Sequence, residues 1–318
     1  MPEFDFSSLW TGRIDQGEIP ELSQRLHQVI KPFAENVSSG LALVGFCSDE
    51  GVRRNQGRVG AAQAPNQIRK VLASVPWNPQ KAVYDMGNIV CAEGDLESAH
   101  IHLANQVTQL LDQHHFPIVL GGGHEMAYGS WLGLANHLAD TESNPKIGII
   151  NFDAHFDLRT DANGCNSGTP FYQIAQSCKE RGWSFQYCCL GVSKMANTQA
   201  LFQRAKEWQV SYRLDKHMTL LDLIDTLAQV KTFIESCDHL YLTIDLDVLP
   251  ASVASGVSAP APRGVSLEVL EPIIDLIRTS QKLRLADIAE YNPNYDQDLQ
   301  TARVAARLFY SITGAQYE

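Results

Sequence analysis

Short apolar runs rich in β-branched residues alternate along the chain with longer segments whose apolar positions recur every three or four residues. LALVGF from Leu41, AVYDMG from Ala82, PIVL from Pro117, IGII from Ile147, SFQYCCLGV from Ser184, VSYRL from Val210, HLYLTI from His239 and LRLADIAE from Leu283 read as strands. Helical spacing covers Glu21 to Asn36, Asn66 to Leu72, a stretch towards His137 and another from Phe171. It returns in TQALFQRAKEW, LLDLIDTLAQVKTFIES, SLEVLEPIIDLIRTS and TARVAARLFYSI. DLESAHIHLANQVTQLLDQHH opens on Asp95, an acidic start that the helix dipole favours. Pro32 shortens or bends the first helix, and the Gly- and Arg-rich stretch from Cys47 to Pro65 reads as a loop.

Strand and helix alternate about eight times without a linker or repeat, which predicts one doubly wound parallel α/β domain over residues 1–318. Residues 1–40 are expected to form an arm and a helix on it. A closed eight-stranded barrel satisfies the same alternation. A chain of 318 residues buries about three quarters of its unfolded surface, enough to hold a rigid site. Twenty-five basic against 36 acidic residues exclude a general binder of nucleic acid or anionic membrane. No apolar stretch approaches the roughly 20 residues of a membrane span, and the first residues lack a signal pattern, so a cytoplasmic protein is expected. Seven cysteines without a C-x-x-C pair fit reduced thiols, with Cys188 and Cys189 as buried small hydrophobes.

Three of the apolar runs end in groups that ligate metals. KIGIIN leads to Asp153, His155 and Asp157, FPIVL to GGGHE with His124, and HLYLTI to Asp245 and Asp247. Alternate residues of an extended chain share a face, so the first triplet is expected to converge at a strand end. Open α/β sheets bind ligands at the C-terminal ends of their strands. Each motif alone has a bland explanation: a Gly-rich turn, a salt-bridge cluster, an Asp capping a turn. Three on matching supports point to a site. Four packed carboxylates repel unless cations neutralise them, and two divalent ions balance four negative charges. Mixed oxygen and imidazole donors suit Mn²⁺, with Zn²⁺ or Fe²⁺ also compatible. Two adjacent ions sharing a water lower its pKa and present a hydroxide. His100, His102, His114 and His115 lie on or beside a helix and are assigned packing or surface roles.

In this order GGGHE, DAHFD and TIDLD, followed by ADIAEYNP, resemble the ureohydrolase (arginase and agmatinase) family from Gly45 to the C-terminus. The resemblance implies a three-layer αβα sandwich around a mainly parallel sheet, two Mn²⁺ per subunit, and attack of a metal-bridging hydroxide on an amidine or guanidine carbon. It places His124, Asp153, Asp157 and Asp245 on one ion and Asp153, His155, Asp245 and Asp247 on the other. Asp157 would also pass a proton to the leaving amine, and Glu290 would hold the amidinium. Members of the family often assemble as homo-oligomers.

One position departs from the arginase and agmatinase pattern. Their His-Gly pair, with its proton-shuttling histidine, is Ser167-Gly168 here, a hydroxyl that does not titrate near neutrality. GVRRNQGRVGA, DAHFDLR and SGTPF are similar to the branch that converts N-formimidoyl-L-glutamate and water to L-glutamate and formamide, a step of histidine degradation. The physics agrees: a formimidoyl carbon lacks one of guanidine's resonance donors and is more electrophilic. Arginine forks match carboxylates, and Arg53, Arg54, Arg58 and Arg159 are the candidates, with Ser167, for binding a carboxylate-bearing small-molecule substrate. An amidinohydrolase releasing urea is the alternative. A dinuclear phosphoesterase would need a Gly-Asp-x-His start and an Asn-His pair, neither of which fits. A catalytically dead metal-bound scaffold is disfavoured by Glu290, which ligates no metal in the family pattern.

Overall fold

A computed structural model describes residues 4–77 and 82–314. Its centre is one nine-stranded sheet: β1 (Lys31–Pro32), β2 (Gly40–Cys47), β3 (Ala82–Val90), β4 (Phe116–Leu120), β5 (Ile147–Phe152), β6 (Gln186–Val192), β7 (Ser211–Leu214), β8 (His239–Asp245) and β9 (Leu283–Ala289). The spatial order is β1-β3-β2-β4-β9-β8-β5-β6-β7, and every pairing is parallel. The sheet is open, with β1 and β7 at its edges, so the closed-barrel alternative is excluded.

Side chains of successive strand residues point to opposite faces, and each face has its own core. Leu41, Leu43, Ile118, Ile150 and Leu242 pack with the helices Ala64–Leu72, Leu223–Glu235, Leu267–Thr279 and Gln300–Thr313. Ala42, Val44, Val119, Ile149 and Tyr241 pack with Leu96–Asp112, Met126–Ala139, Pro170–Arg181 and Gln199–Glu207. Strands buried on both faces explain why they read as continuous apolar runs. The result is the αβα sandwich expected from the resemblance.

The N-terminal region departs from expectation. Instead of a helix from Glu21 to Asn36 there are two separate turns, Pro20–Leu22 and Leu26–Val29, and Lys31–Pro32 then pairs with β3 at the sheet edge. Proline lacks an N–H for a helix interior but is tolerated on an edge strand. Trp10 anchors the preceding segment by donating its indole N–H to Asp85 at 2.7 Å, and Asp85 also takes both arms of the buried Arg69 fork. The expected loop after Cys47 contains a short helix, Glu50–Arg54.

All seven cysteines are free and buried. Among the described residues no helix is long and apolar enough to cross a membrane. His100 is buried beside Phe46 and Tyr128, and desolvation pushes its imidazole down to about 4. With the folded value below the ordinary one of 6.5, its contribution is intact above pH 6.5 and is lost as pH falls towards 4. His100→Phe is therefore expected to unfold less readily in acid than its neutral-pH stability implies. Urea titrations should show wild type losing roughly 3 kcal/mol more than the variant between pH 7 and pH 4.

Candidate metal centre and substrate cavity

Four adjacent strands, β4, β9, β8 and β5, deliver the candidate residues to one end of the sheet. Beyond β4 the backbone N–H groups of Gly121, Gly122 and Gly123 donate to the carbonyls of Ile288, Phe46 and Ser48 at 2.8–3.0 Å. A Cβ on Gly122 would lie 1.9 Å from the Ser48 carbonyl oxygen, so this turn admits only glycine. It presents His124, whose Nε2 lies 3.0 Å from Thr243 Oγ1 on β8. His124 Nδ1 then faces carboxylate oxygens of Asp153, Asp157 and Asp245 at 3.1, 3.1 and 3.2 Å, without a hydrogen bond to any of them. His155 Nδ1 lies 3.0 Å from Asp247 and 3.4 Å from Asp153.

The first triplet converges for a different reason from strand alternation. β5 ends at Phe152, and Asp153 to Asp157 lie in irregular backbone, with Asp157 at φ +47°. A left-handed carboxylate residue is uncommon and is held by its surroundings. Asn197 provides part of that hold, accepting the Phe156 N–H at 3.0 Å and donating to the Ala154 carbonyl at 2.9 Å. Arg204 donates to the Leu158 carbonyl. The sequence reading missed Asn197; nothing in the polar stretch SKMAN distinguishes it.

Ligand-type atoms fall into two sets, each within 4.8 Å: His124, Asp153, Asp157 and Asp245, and then Asp153, His155 and Asp247. Asp153 belongs to both sets, whereas the resemblance also implied sharing by Asp245. Left to themselves these charges are poorly balanced. Burial, reinforced by Asp153, pushes Asp157 up to about 6; burial, Asp247 and Asp153 push Asp245 well above the carboxylate range. Asp153 is held low, since His124 and His155 outweigh its burial. An orphaned buried imidazole nitrogen facing three carboxylates is the arrangement a cation resolves. The mixed carboxylate and imidazole donor set fits two divalent ions.

Above the cluster opens a cavity of about 280 Å³, whose lining includes Asn55, Arg58, Asp157, Arg159, Ser167 and Glu290. Glu290 follows β9 at φ +67°, is 5% exposed, and accepts the His124 backbone N–H at 2.8 Å. Burial and the neighbouring Glu125 carboxylate push it up to about 8. The four candidate arginines separate. Arg53 pairs with Glu50, leaves its side chain 65% exposed and does not line the cavity. Arg54 is spent on Glu50, Glu97 and the carbonyls of Gly94 and Cys165, likewise outside the lining. Arg58 lines it while donating to the Ser258 carbonyl at 2.8 Å and stacking on Tyr295 at 3.9 Å. Arg159 reaches the rim with one contact, NH1 to Asn55 Oδ1 at 3.0 Å, and Asn55 Nδ2 donates to Ser167 Oγ at 3.0 Å.

The chain is similar to known proteins over nearly its whole length. A formimidoylglutamase of Aeromonas hydrophila is 56% identical over 307 residues, spanning 96% of each chain. In fold, the crystal structure of a Bacillus subtilis formimidoylglutamase matches with a TM-score of 0.82 at 23% identity, covering 96% of this chain and 94% of that one. A Trypanosoma cruzi formiminoglutamase solved with Mn²⁺ matches with a TM-score of 0.79 at 24% identity, over 93% of this chain and 99% of that one. The Arginase family profile covers residues 39–314, from the first residues before β2 to the end of the last helix. Sequence and fold thus agree over nearly the whole length, and the chain belongs to the arginase family.

Proposed function

We propose that this protein hydrolyses N-formimidoyl-L-glutamate to L-glutamate and formamide. The observation that carries the reading is one cavity with a dinuclear-type cluster at its floor, the buried Glu290 in its wall and the Arg159 guanidinium, bonded only to Asn55 among the described residues, at its rim. An amidinium and a carboxylate on one small substrate meet complementary groups there. The high identity to a formimidoylglutamase supports the same choice.

His124, Asp153, Asp157 and Asp245 would hold one ion and Asp153, His155 and Asp247, with Asp245 alongside, the other; Mn²⁺ is proposed by analogy with the Trypanosoma cruzi protein. Bound there, two divalent ions would acidify a water and stabilise negative charge developing on the substrate. The chain's own residues do the rest. Glu290 orients the amidinium: its raised proton affinity shows a carboxyl short of a cationic partner, which the substrate supplies. Asp157, at the cluster and in the cavity lining, takes up a proton and returns it to the departing glutamate amine. Arg159 pairs with a substrate carboxylate, and its open rim position lets the product leave.

Mn²⁺-loaded protein should be given N-formimidoyl-L-glutamate, agmatine, arginine and 4-guanidinobutyrate separately. Glutamate and formamide from the first alone is the expected result; urea from a guanidine would overturn the assignment.

A further inference from the structure

Asn55 lies at the C-terminal end of the helix Glu50–Arg54 and touches two cavity-lining side chains at once. We infer that Asn55 is a positioning residue that commits the Ser167 hydroxyl and the Arg159 guanidinium to a carboxylate of the substrate; the assignment rests on the formimidoylglutamate reading above. The hydrogen-bond inventory dictates the direction of each bond. Arg159 carries only donors, so the amide atom 3.0 Å from its NH1 is the oxygen. The other amide atom, facing Ser167 Oγ at 3.0 Å, is then the NH₂ group. Ser167 is the acceptor in that contact, which leaves its own proton unused, and Ser167 Oγ donates to no group among the described residues. The guanidinium of Arg159 likewise makes no other hydrogen bond there. The rim therefore offers donors from two side chains, the Arg159 guanidinium, which has no acceptor, and the Ser167 hydroxyl, whose oxygen already accepts from Asn55. A carboxylate, which only accepts, fits them; the ammonium end of a decarboxylated substrate does not.

The backbone keeps the three side chains in place. The Arg159 N–H donates to the Gly168 carbonyl at 2.9 Å, closing the loop that carries Ser167. A Cβ on Gly168 would sit 3.1 Å from Arg159 Cδ and 3.3 Å from Asn55 Nδ2, so glycine leaves room for the pair. Arg54, which does not reach the cavity, donates to the Cys165 carbonyl and ties the Asn55 helix to the same loop. Serine at position 167 is thus a specificity element: its short hydroxyl fits under an amide that a ring would displace.

The test uses the Mn²⁺-loaded enzyme and the variants Asn55→Ala, Asn55→Asp and Ser167→Ala, with N-formimidoyl-L-glutamate and the carboxylate-free N-butylformamidine as substrates. Asn55→Ala should raise KM for formimidoylglutamate by ~10- to 30-fold with kcat within about threefold, the loss expected of a charge-assisted hydrogen bond. Asn55→Asp should raise it further, because a carboxylate would claim the Ser167 proton and repel the substrate. The loss of kcat/KM on N-butylformamidine should be at least ~10-fold smaller than on formimidoylglutamate. Calorimetric binding of L-glutamate should weaken in parallel in Asn55→Ala and Ser167→Ala, with the double variant little worse than either. Equal losses on both substrates, or an unchanged KM, would overturn the positioning role while leaving the activity assigned. Wild-type protein inert towards formimidoylglutamate would overturn both.

Discussion

Titrating Mn²⁺ into chelator-treated protein is expected to raise its unfolding temperature by roughly 15 °C, and Asp245→Asn to forfeit most of that rise together with turnover. An ion present at a thousand times its dissociation constant contributes about 4 kcal/mol, and two contribute about twice that. In a chain of this length each kcal/mol moves the midpoint by ~2 °C. Asparagine can keep the 2.8 Å bond from the Asp247 N–H through its own Oδ1, so the local turn survives while the anionic ligand is lost. The metal-free comparison has the opposite sign. Burial and the neighbouring Asp247 and Asp153 charges raise the proton affinity of Asp245 in the folded state, so its ionisation costs stability increasingly above the unfolded carboxylate value of 3.8. Metal-free Asp245→Asn should therefore be more stable than metal-free wild type at pH 7. Calorimetric scans with metal analysis on both proteins check this; an undiminished Mn²⁺ shift in the variant would remove Asp245 from the proposed ligand set.

Glu290→Gln is expected to lower kcat/KM by about a thousandfold with metal content intact. Removing one partner of a buried charge pair costs on the order of 3–5 kcal/mol, and each 1.4 kcal/mol is a factor of ten. Glutamine keeps an oxygen for the His124 backbone N–H, which separates this effect from displacement of His124. Its neutral amide cannot balance an amidinium. Steady-state kinetics beside a metal assay decide the matter, and loss of metal would mean that Glu290 serves the cluster rather than the substrate.

How far the chain could be read beforehand varied with the range of the interactions. Every main strand from β2 to β9 was legible, the central ones because strands buried on both faces must be apolar throughout, while the half-exposed edge strand β7 carries only a short apolar and aromatic signal. The N-terminal helix was misread because Leu22, Leu26, Val29 and Ile30 have helical spacing, yet Lys31 and Pro32 are captured by the edge of β3, a partner more than 50 residues away in sequence. The metal-type cluster was legible as residue types, though its geometry was not: the bend that turns Asp157 inward depends on Asn197 and Arg204 from a later segment. The arginines show the limit best. Arg53, Arg54 and Arg58 look equivalent as a string, and only Glu50 and Glu97, which neutralise two of them, separate structural forks from those at the cavity.

The position of β9 has a consequence for how the protein comes into being. The strands made first, β1 to β4, form one side of the sheet, and β5 to β8 form the other; the last strand lies between them, paired to β4 and β8. Until residue 289 has been synthesised, two half-sheets face each other across a missing strand, with His124 on one and the five other metal-type residues on the other. Only the second set, Asp153, His155 and Asp247, lies within one half; the set that includes His124 is divided between the two. Completion of the two-ion site is thereby deferred to the end of translation, and a chain broken off before β9 lacks both Glu290 and the strand that joins His124 to the other ligands.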